Sequence, residues 1–349
     1  MNIRVIWIDI AKFIGIFFVV LSHFELCPDY LRVFFSPFYL SIFFFCSGYT
    51  YKAGSDFKTF FRKKLYQLLT PWFIYSNLNI LLSGVKSFKD HQNSVSTEII
   101  HNLMQIRYYD ERLWFIPALF TAYIPFYFVI RSYEKKKNTK EILILCMVLC
   151  LIRQVYKAYM NPDFFPWHLT SLPWHIDYIP TAMLFMILGY LFRHEWETFY
   201  DQKVDNKTLA IIATFYLVLV YYDFLNGYEF SMLMDFVYDH LRHIVSLMMV
   251  IGIAKRIPEN RYMSFIGSNT LIYFCLHNKV VTLIEVIVRT ILPGVYKTCE
   301  AAIPGTVFCF FATFVVSIIL IIPTLFINRY LPWTVGKSLL EKKKTVETV

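Results

Sequence analysis

Ten apolar runs of roughly bilayer-spanning length follow one another along this chain. They lie near residues 6–26, 33–51, 68–85, 113–130, 141–158, 175–192, 208–223, 233–254, 264–292 and 303–328. A hydrocarbon core about 30 Å thick takes roughly 20 residues of helix. Lipid offers no partner to an unpaired backbone N–H or C=O, so only helices and closed barrels cross it. These runs are continuously apolar, without the alternation over ~10 residues that marks a transmembrane barrel. The expected fold class is all-α, a polytopic integral membrane protein with about ten transmembrane helices. Composition agrees: the chain is 57% hydrophobic and 17% charged, with a mean hydropathy of +0.48, far from the usual soluble mix.

The loops set the direction. With the N-terminus inside, inner segments hold 22 Lys and Arg and outer segments 7, and the other five of 34 lie within spans. Cytoplasmic loops carry the basic excess, so an even number of spans with both termini cytoplasmic is expected. The net charge of +9 is dispersed among apolar runs. No zinc-finger, helix-turn-helix or RNA-binding aromatic signal accompanies it, so nucleic acid is not an expected partner and the lipid bilayer is. Most of the seven cysteines fall in apolar runs and form no disulfide framework. Cys27 and Cys299 lie near predicted outer loops and could pair. The first run carries His23 and lacks a small-residue cleavage site, unlike a signal peptide. Residues 1–335 read as one transmembrane domain, and 336–349 as a short basic cytoplasmic tail near anionic lipid.

Ionisable groups inside a membrane helix are costly and by default mark a working site. The first span holds Asp9, Lys12 and His23. Lys12 and His23 are eleven residues apart, close to three turns, so they leave one face roughly 16 Å apart along the axis. A neutral imidazole can take a proton from a hydroxyl. An ammonium three turns inward can hold an anion, such as the phosphates of a coenzyme. The plain alternative is a histidine bonded to a backbone carbonyl and a snorkelling lysine. The shared face favours function, and the spans are expected to surround an internal catalytic cavity at this pair.

Further candidates follow along the chain. The aromatic run Phe43–Tyr49 contains Ser47-Gly48, a pair that permits close helix approach. Arg62, Lys63 and Lys64 precede Pro71-Trp72 on the predicted inner side, as a topology signal or a phosphate clamp. Trp114 opens the fourth span, and His175 and Asp177 open the sixth. They read as interfacial residues or as the mouth for a polar substrate. Asp239 and His243 are four apart on the eighth span and face together beside Arg242. That stripe is either a charge-paired network or a substrate contact. His277 in the ninth span is a second base candidate or a helix–helix hydrogen bond. No HExxH, Walker A, GxSxG or dinucleotide fingerprint is present, and no metal-ligand spacing, so no metal is expected.

In order, these motifs resemble the membrane acyltransferase-3 family of bacterial O-acyltransferases. Lys12 and His23 match its basic residue and histidine, separated by ten residues in the first helix. Phe44-Phe45-Cys46-Ser47-Gly48-Tyr49 is similar to its second-helix motif, Arg62–Lys64 with Pro71-Trp72 to the basic stretch that follows, and Leu113–Leu119 to a stretch of the fourth helix. The start Ile8-Asp9-Ile10-Ala11-Lys12 looks most like the fucose-4-O-acetylase-like branch. Cys46, Ser22 and the single arginine of the basic cluster depart from the usual pattern. The resemblance implies a bacterial inner-membrane enzyme that takes an acyl group, most simply acetyl, from cytoplasmic acyl-CoA. The acceptor would be a sugar hydroxyl of a cell-envelope or exported glycan. Lys12 with Arg62, Lys63 and Lys64 would hold the coenzyme, and His23 would act as base or as acyl acceptor. Trp114, His175, Asp177, Asp239, His243 and His277 would meet the acceptor. The alternative is a glycan or solute transporter with His23, His277 and Asp239 as a proton relay. It lacks the inverted repeats and paired broken helices common in transporters. The sequence leaves the acyl group, the sugar and the oligomeric state open.

Overall fold

A computed structural model describes residues 5–87, 95–108, 113–226 and 231–337. Every element among them is helical. The chain opens with α1 (Ile6–Ser22) and then divides the predicted second span into α2 (Asp29–Phe35) and α3 (Ser41–Tyr49). Pro37 brings no N–H to a helical ladder, and a turn over 36–40 stands in its place. α4 (Phe57–Lys64) and α5 (Thr70–Ser87) are joined by a π-helical turn, Leu65–Leu69, in which Thr70 N reaches back to Leu65 O. Pro71 has no N–H for the carbonyl of Gln67, and a widened turn absorbs that loss. Asp56 caps α4 by accepting from Thr59 N at 3.0 Å. Hydrogen bonds from Thr59, side chain first and then backbone, hold its carboxyl below the usual range.

Next come α6 (Val95–Met104), α7 (Phe115–Lys136), α8 (Thr139–Tyr159), α9 (Ile179–Leu191), α10 (Glu197–Lys203), α11 (Asn206–Asn226) and α12 (Met232–Arg256). The predicted ninth span, 264–292, is not one helix. It is α13 (Arg261–Ser268) and α14 (Thr270–Ile291), parted at Asn269. The Asn269 side-chain amide donates to Phe265 O at 2.8 Å, and such local bonding competes with the helical ladder. α15 (Pro293–Thr298), α16 (Ala302–Ile319) and α17 (Ile321–Tyr330) complete the series.

Among the described residues, seven helical segments are long and apolar enough to cross a membrane. They are Phe115–Lys136, Thr139–Tyr159, Pro173–Lys203, Asn206–Leu225, Met232–Arg256, Thr270–Ile291 and Ala302–Tyr330. They coincide with the fourth to tenth predicted spans, and the chain is a multi-pass membrane protein. α8 and α11 leave most of their apolar side chains exposed, Ile144, Ile152, Ile211 and Val218 among them, as helices facing lipid do. The first two predicted spans are represented by shorter pieces, α1 with 17 residues and α2 and α3 with 7 and 9, whereas α5 has 18, as many as the predicted third span. Of the predicted basic tail, residues 338–349 lie outside the described residues, as do Arg4, Lys89 and Arg112.

The chain divides into two compact units. Unit 1 comprises residues 1–50 and 188–324. Its central element is α1, which packs against α3, α12, α13, α14 and α16. Two glycines make close approach possible. A Cβ at Gly267 of α13 would collide with the Asp9 carbonyl oxygen of α1. A Cβ at Gly189 of α9 would collide with the Phe45 carbonyl oxygen of α3. The aromatic motif of α3 is thus approached at backbone distance, through a glycine on the partner helix. At the first turn of α1, Trp7 Nε1 donates to Glu197 Oε1 at 3.2 Å, Lys255 Nζ to the same oxygen at 2.7 Å, and Tyr49 OH to Glu197 Oε2 at 2.6 Å. One carboxylate therefore ties α1, α3, α10 and α12.

Unit 2 comprises residues 51–187 and 325–349. α7 packs against the π turn, α4, α8 and the turn 173–178. Phe60 of α4 stacks on Tyr127 of α7, ring centroids 4.8 Å apart. The turn Pro332–Val335 closes on α5 through Tyr75 OH and Thr334 Oγ1, 3.1 Å apart.

Candidate active site

His23 is the residue after α1, at its C-terminal cap. Its Nδ1 lies 2.7 Å from Val19 O and 3.3 Å from His277 Nε2. A carbonyl oxygen only accepts, so Nδ1 of His23 carries the proton. The two rings meet edge to face, with centroids 4.5 Å apart. His277 is 2% exposed on α14, and its own Nδ1 lies 3.0 Å from Tyr273 O and 2.9 Å from Phe274 O. By the same reasoning its proton sits on Nδ1, and its Nε2 lone pair faces the Nδ1–H of His23. Both tautomers are set by main-chain carbonyls. The Nε2 lone pair of the exposed His23 ring has no hydrogen-bond partner among the described residues. The sequence offered a base or a backbone-bonded histidine as alternatives; the backbone bond is present at Nδ1, and Nε2 is left open.

The loop after His23 is held from two directions. Arg32 of α2 donates to Ser22 O at 2.7 Å, Phe24 O at 2.9 Å and Cys27 O at 3.2 Å. A guanidinium on the last carbonyl of α1 and on two carbonyls of the loop satisfies orphan acceptors and complements the negative end of the helix dipole. From α14, Glu285 Oε1 accepts from Glu25 N at 2.6 Å, and Arg289 donates to Glu25 Oε2 at 2.5 Å. Lys12, three turns before His23 on α1, is half-buried. Among the described residues its ammonium has no hydrogen bond or ion pair. Cys27 lies beside Cys309 of α16 rather than Cys299, and all seven cysteines are free thiols.

The other predicted residues of unit 1 are partnered within α11 and α12. Arg242 pairs with Asp223 of α11 and lies 3.3 Å from Asp239 Oδ1. His243 Nδ1 lies 2.8 Å from Asp239 O and 3.5 Å from Asp239 Oδ1. The Asp239–His243 stripe is a charge-paired network at the α11–α12 contact.

In unit 2, Arg62 and Lys63 are exposed in the last turn of α4. Lys64 instead sits over the Tyr123 ring, 3.7 Å from its centroid. Trp114, at the start of α7, meets His175 at 5.4 Å between ring centroids, so the structure brings these two predicted residues together. Asp177 has a local role: its Oδ1 accepts from Leu172 N at 3.0 Å and closes the turn that carries His175. A cavity of about 230 Å³ opens between α7 and α8, lined by Phe128, Tyr133, Lys136 and Glu141 among others, and includes none of the predicted site residues. No group of three His, Cys, Asp or Glu side chains among the described residues could hold a metal ion.

A family model described as an acyltransferase domain, Acyl_transf_3, matches residues 5–322. The chain belongs to the acyltransferase-3 family. Comparisons with curated proteins and with solved structures found no match. The match runs from the residue before α1 into α17, so it takes in the His23–His277 pair and the unit 2 residues alike. The protein is a membrane acyltransferase. Sequence reasoning missed Arg32 and Glu285 of this acyltransferase, although both carried a signal. Glu285 is a carboxyl group inside an apolar span, and Arg32 is one of the few basic residues on the predicted outer side.

Proposed function

We propose that this acyltransferase moves an acyl group, most simply acetyl, from cytoplasmic acyl-CoA to a sugar hydroxyl of a cell-envelope or exported glycan in the bacterial inner membrane. The observation that carries the reading is the free Nε2 of His23 on a ring whose Nδ1–H is fixed by Val19 O and faces His277 Nε2. Such an imidazole is oriented as a general base. The acceptor O–H proton goes to His23 Nε2 as the oxygen attacks the thioester carbonyl. The C–S bond then breaks, and the proton leaves with the coenzyme thiolate. The imidazolium formed between these events gives its Nδ1–H to Val19 O and His277 Nε2, which stabilise it. In the other route Nε2 itself attacks the thioester, and the acyl-imidazole passes the group on.

Lys12 holds the coenzyme's phosphates in this reading. A half-buried ammonium with no counter-ion among the described residues, on the same helix face as His23, calls for an anion. Arg62 and Lys63, exposed at the end of α4, offer a cationic surface of their own that suits phosphate. We read α1, α2–α3 and α5 as the remaining membrane passages. That restores ten crossings, both termini in the cytoplasm, and one working domain over residues 1–335 around an internal cavity. The transporter reading needs an intramembrane carboxyl in relay with His23 and His277; Asp239 is engaged with Arg242 and His243 instead.

The test is acetyl-ester content of surface glycans by mass spectrometry, from a strain lacking the gene and complemented with wild type or His23→Ala. Loss of the ester in the variant, with normal membrane insertion, is expected. An unchanged ester level removes His23 from the reaction. Solute flux without acyl turnover in proteoliposomes would move the reading to transport.

A further inference from the structure

We propose that unit 2 carries a binding site for an anionic saccharide, built from Arg107, Arg153, Tyr178, Trp114 and His175. The proposal deepens the acyl-transfer reading, since it gives the acceptor a charge class. Both guanidiniums lie on one aromatic ring: Arg107 is 5.9 Å and Arg153 5.2 Å from the Tyr178 centroid. Arg107 also stacks on Trp114 at 4.6 Å and on Tyr108 at 5.0 Å. Among the described residues neither arginine has a hydrogen-bonded or ion-paired partner, and Arg153 Nε is buried without one. Among the described residues no carboxylate pairs with these two cations; they repel each other, and an arriving anion relieves that cost. Asp177, the residue before Tyr178, gives one oxygen to Leu172 N.

The neighbouring groups point to a sugar. Trp114 and Tyr178 stand edge to face with centroids 5.8 Å apart, and Trp72 and Trp174 lie 5.5 Å apart. The apolar C–H face of a pyranose packs on such rings, while its hydroxyls need donors and acceptors at the edge. Two buried edge groups have no hydrogen-bond partner among the described residues: Nε2 of His175, a residue 1% exposed, and Nε1 of Trp72, 3% exposed. Unpaired buried polar atoms are rare and costly. The chain is bent where it carries His175: Trp174 and His175 both have left-handed backbones, φ 56° and 55°. Strain of that kind persists where function requires it. A guanidinium fork matches a carboxylate or a phosphate ester equally well, so both are included.

The test uses the purified full chain in detergent carrying His23→Ala, so that binding is read without turnover. Tryptophan fluorescence titrations compare tetragalacturonate, its carboxyl-reduced neutral form, and a phosphorylated sugar. At least one anionic probe is expected to bind about tenfold or more tightly than the neutral form, with an affinity that falls as salt rises. Arg107→Gln and Arg153→Gln are expected to bring that affinity down to the neutral level while leaving neutral binding unchanged. Arg107→Lys, which keeps charge but not the fork, falls between. Equal affinity for charged and neutral probes overturns the proposal. So does full anion binding by both arginine variants, or displacement of the saccharide by coenzyme A, which assigns the arginines to the donor. Arginine-dependent saccharide binding without any transfer by the wild-type chain would sink the acyl-transfer reading and leave this site standing.

Discussion

His277 is the residue whose loss says most about how His23 works. It touches the back of the ring, so in the proposed reaction it would act through His23 and not on the substrate. We expect His277→Ala to lower kcat by roughly ten- to a hundredfold with KM for acyl-CoA nearly unchanged. His277→Gln, which keeps an acceptor oxygen toward His23 Nδ1–H, should recover part of that loss. A KM effect as large as the kcat effect would place His277 in substrate binding instead. Arg32 is the second informative residue. Arg32→Ala removes three charge-assisted hydrogen bonds, to the end of α1 and the loop that follows His23, and should cost about 2–3 kcal/mol, read by thermal or denaturant unfolding, with a matching fall in kcat. Arg32→Lys should restore little, because an ammonium cannot reach three carbonyls that a planar fork spans.

At the scale of elements, hydropathy located the long helices well because lipid enforces one solution over that length. It failed where a single residue decides. Pro37 splits the second apolar run, Asn269 splits the ninth, and Pro71 widens the entry to α5 into a π turn. Each break is locally encoded but looks apolar or neutral in a sliding average. The α1–α13 contact was not legible at all, since it depends on Gly267 meeting the Asp9 carbonyl, two residues far apart in sequence. Gly267→Val should separate these helices and cost about 1–3 kcal/mol or more, with lost activity although no reacting group is touched. The α4 cap gives a pH test. The Asp56 carboxyl is held below its ordinary value, so its contribution is fully present above about pH 4. It is lost as pH falls through the lowered value. Amide exchange at residues 57–60 should quicken there, and Asp56→Ala should show the same quickening at neutral pH.

For the whole molecule, the bias of Lys and Arg predicts sidedness, and reporter fusions can check it. Fusions after residue 137 and after residue 204 should read as cytoplasmic, and fusions after 165 and after 298 as external. A same-side result for 137 and 165 would break the alternation. The candidate site was legible in proportion to how local its chemistry is. Lys12 and His23 share one helix, so 3.6-residue periodicity exposed them. The partnership of His23 with His277 joins the first and ninth apolar runs, and only the fold could reveal it. The same holds for Arg107 and Arg153 on Tyr178, which come from three separate parts of the chain.

The hydrogen bond from His23 Nδ1 to the carbonyl of Val19 has an evolutionary consequence. Where a carboxylate side chain steers a catalytic imidazole, one codon change can abolish the steering. Here the steering oxygen belongs to the peptide chain itself, and every amino acid at position 19 other than one that breaks the helix supplies it. Change at that site is therefore limited by the packing of the buried Val19 side chain and not by the ring's heading.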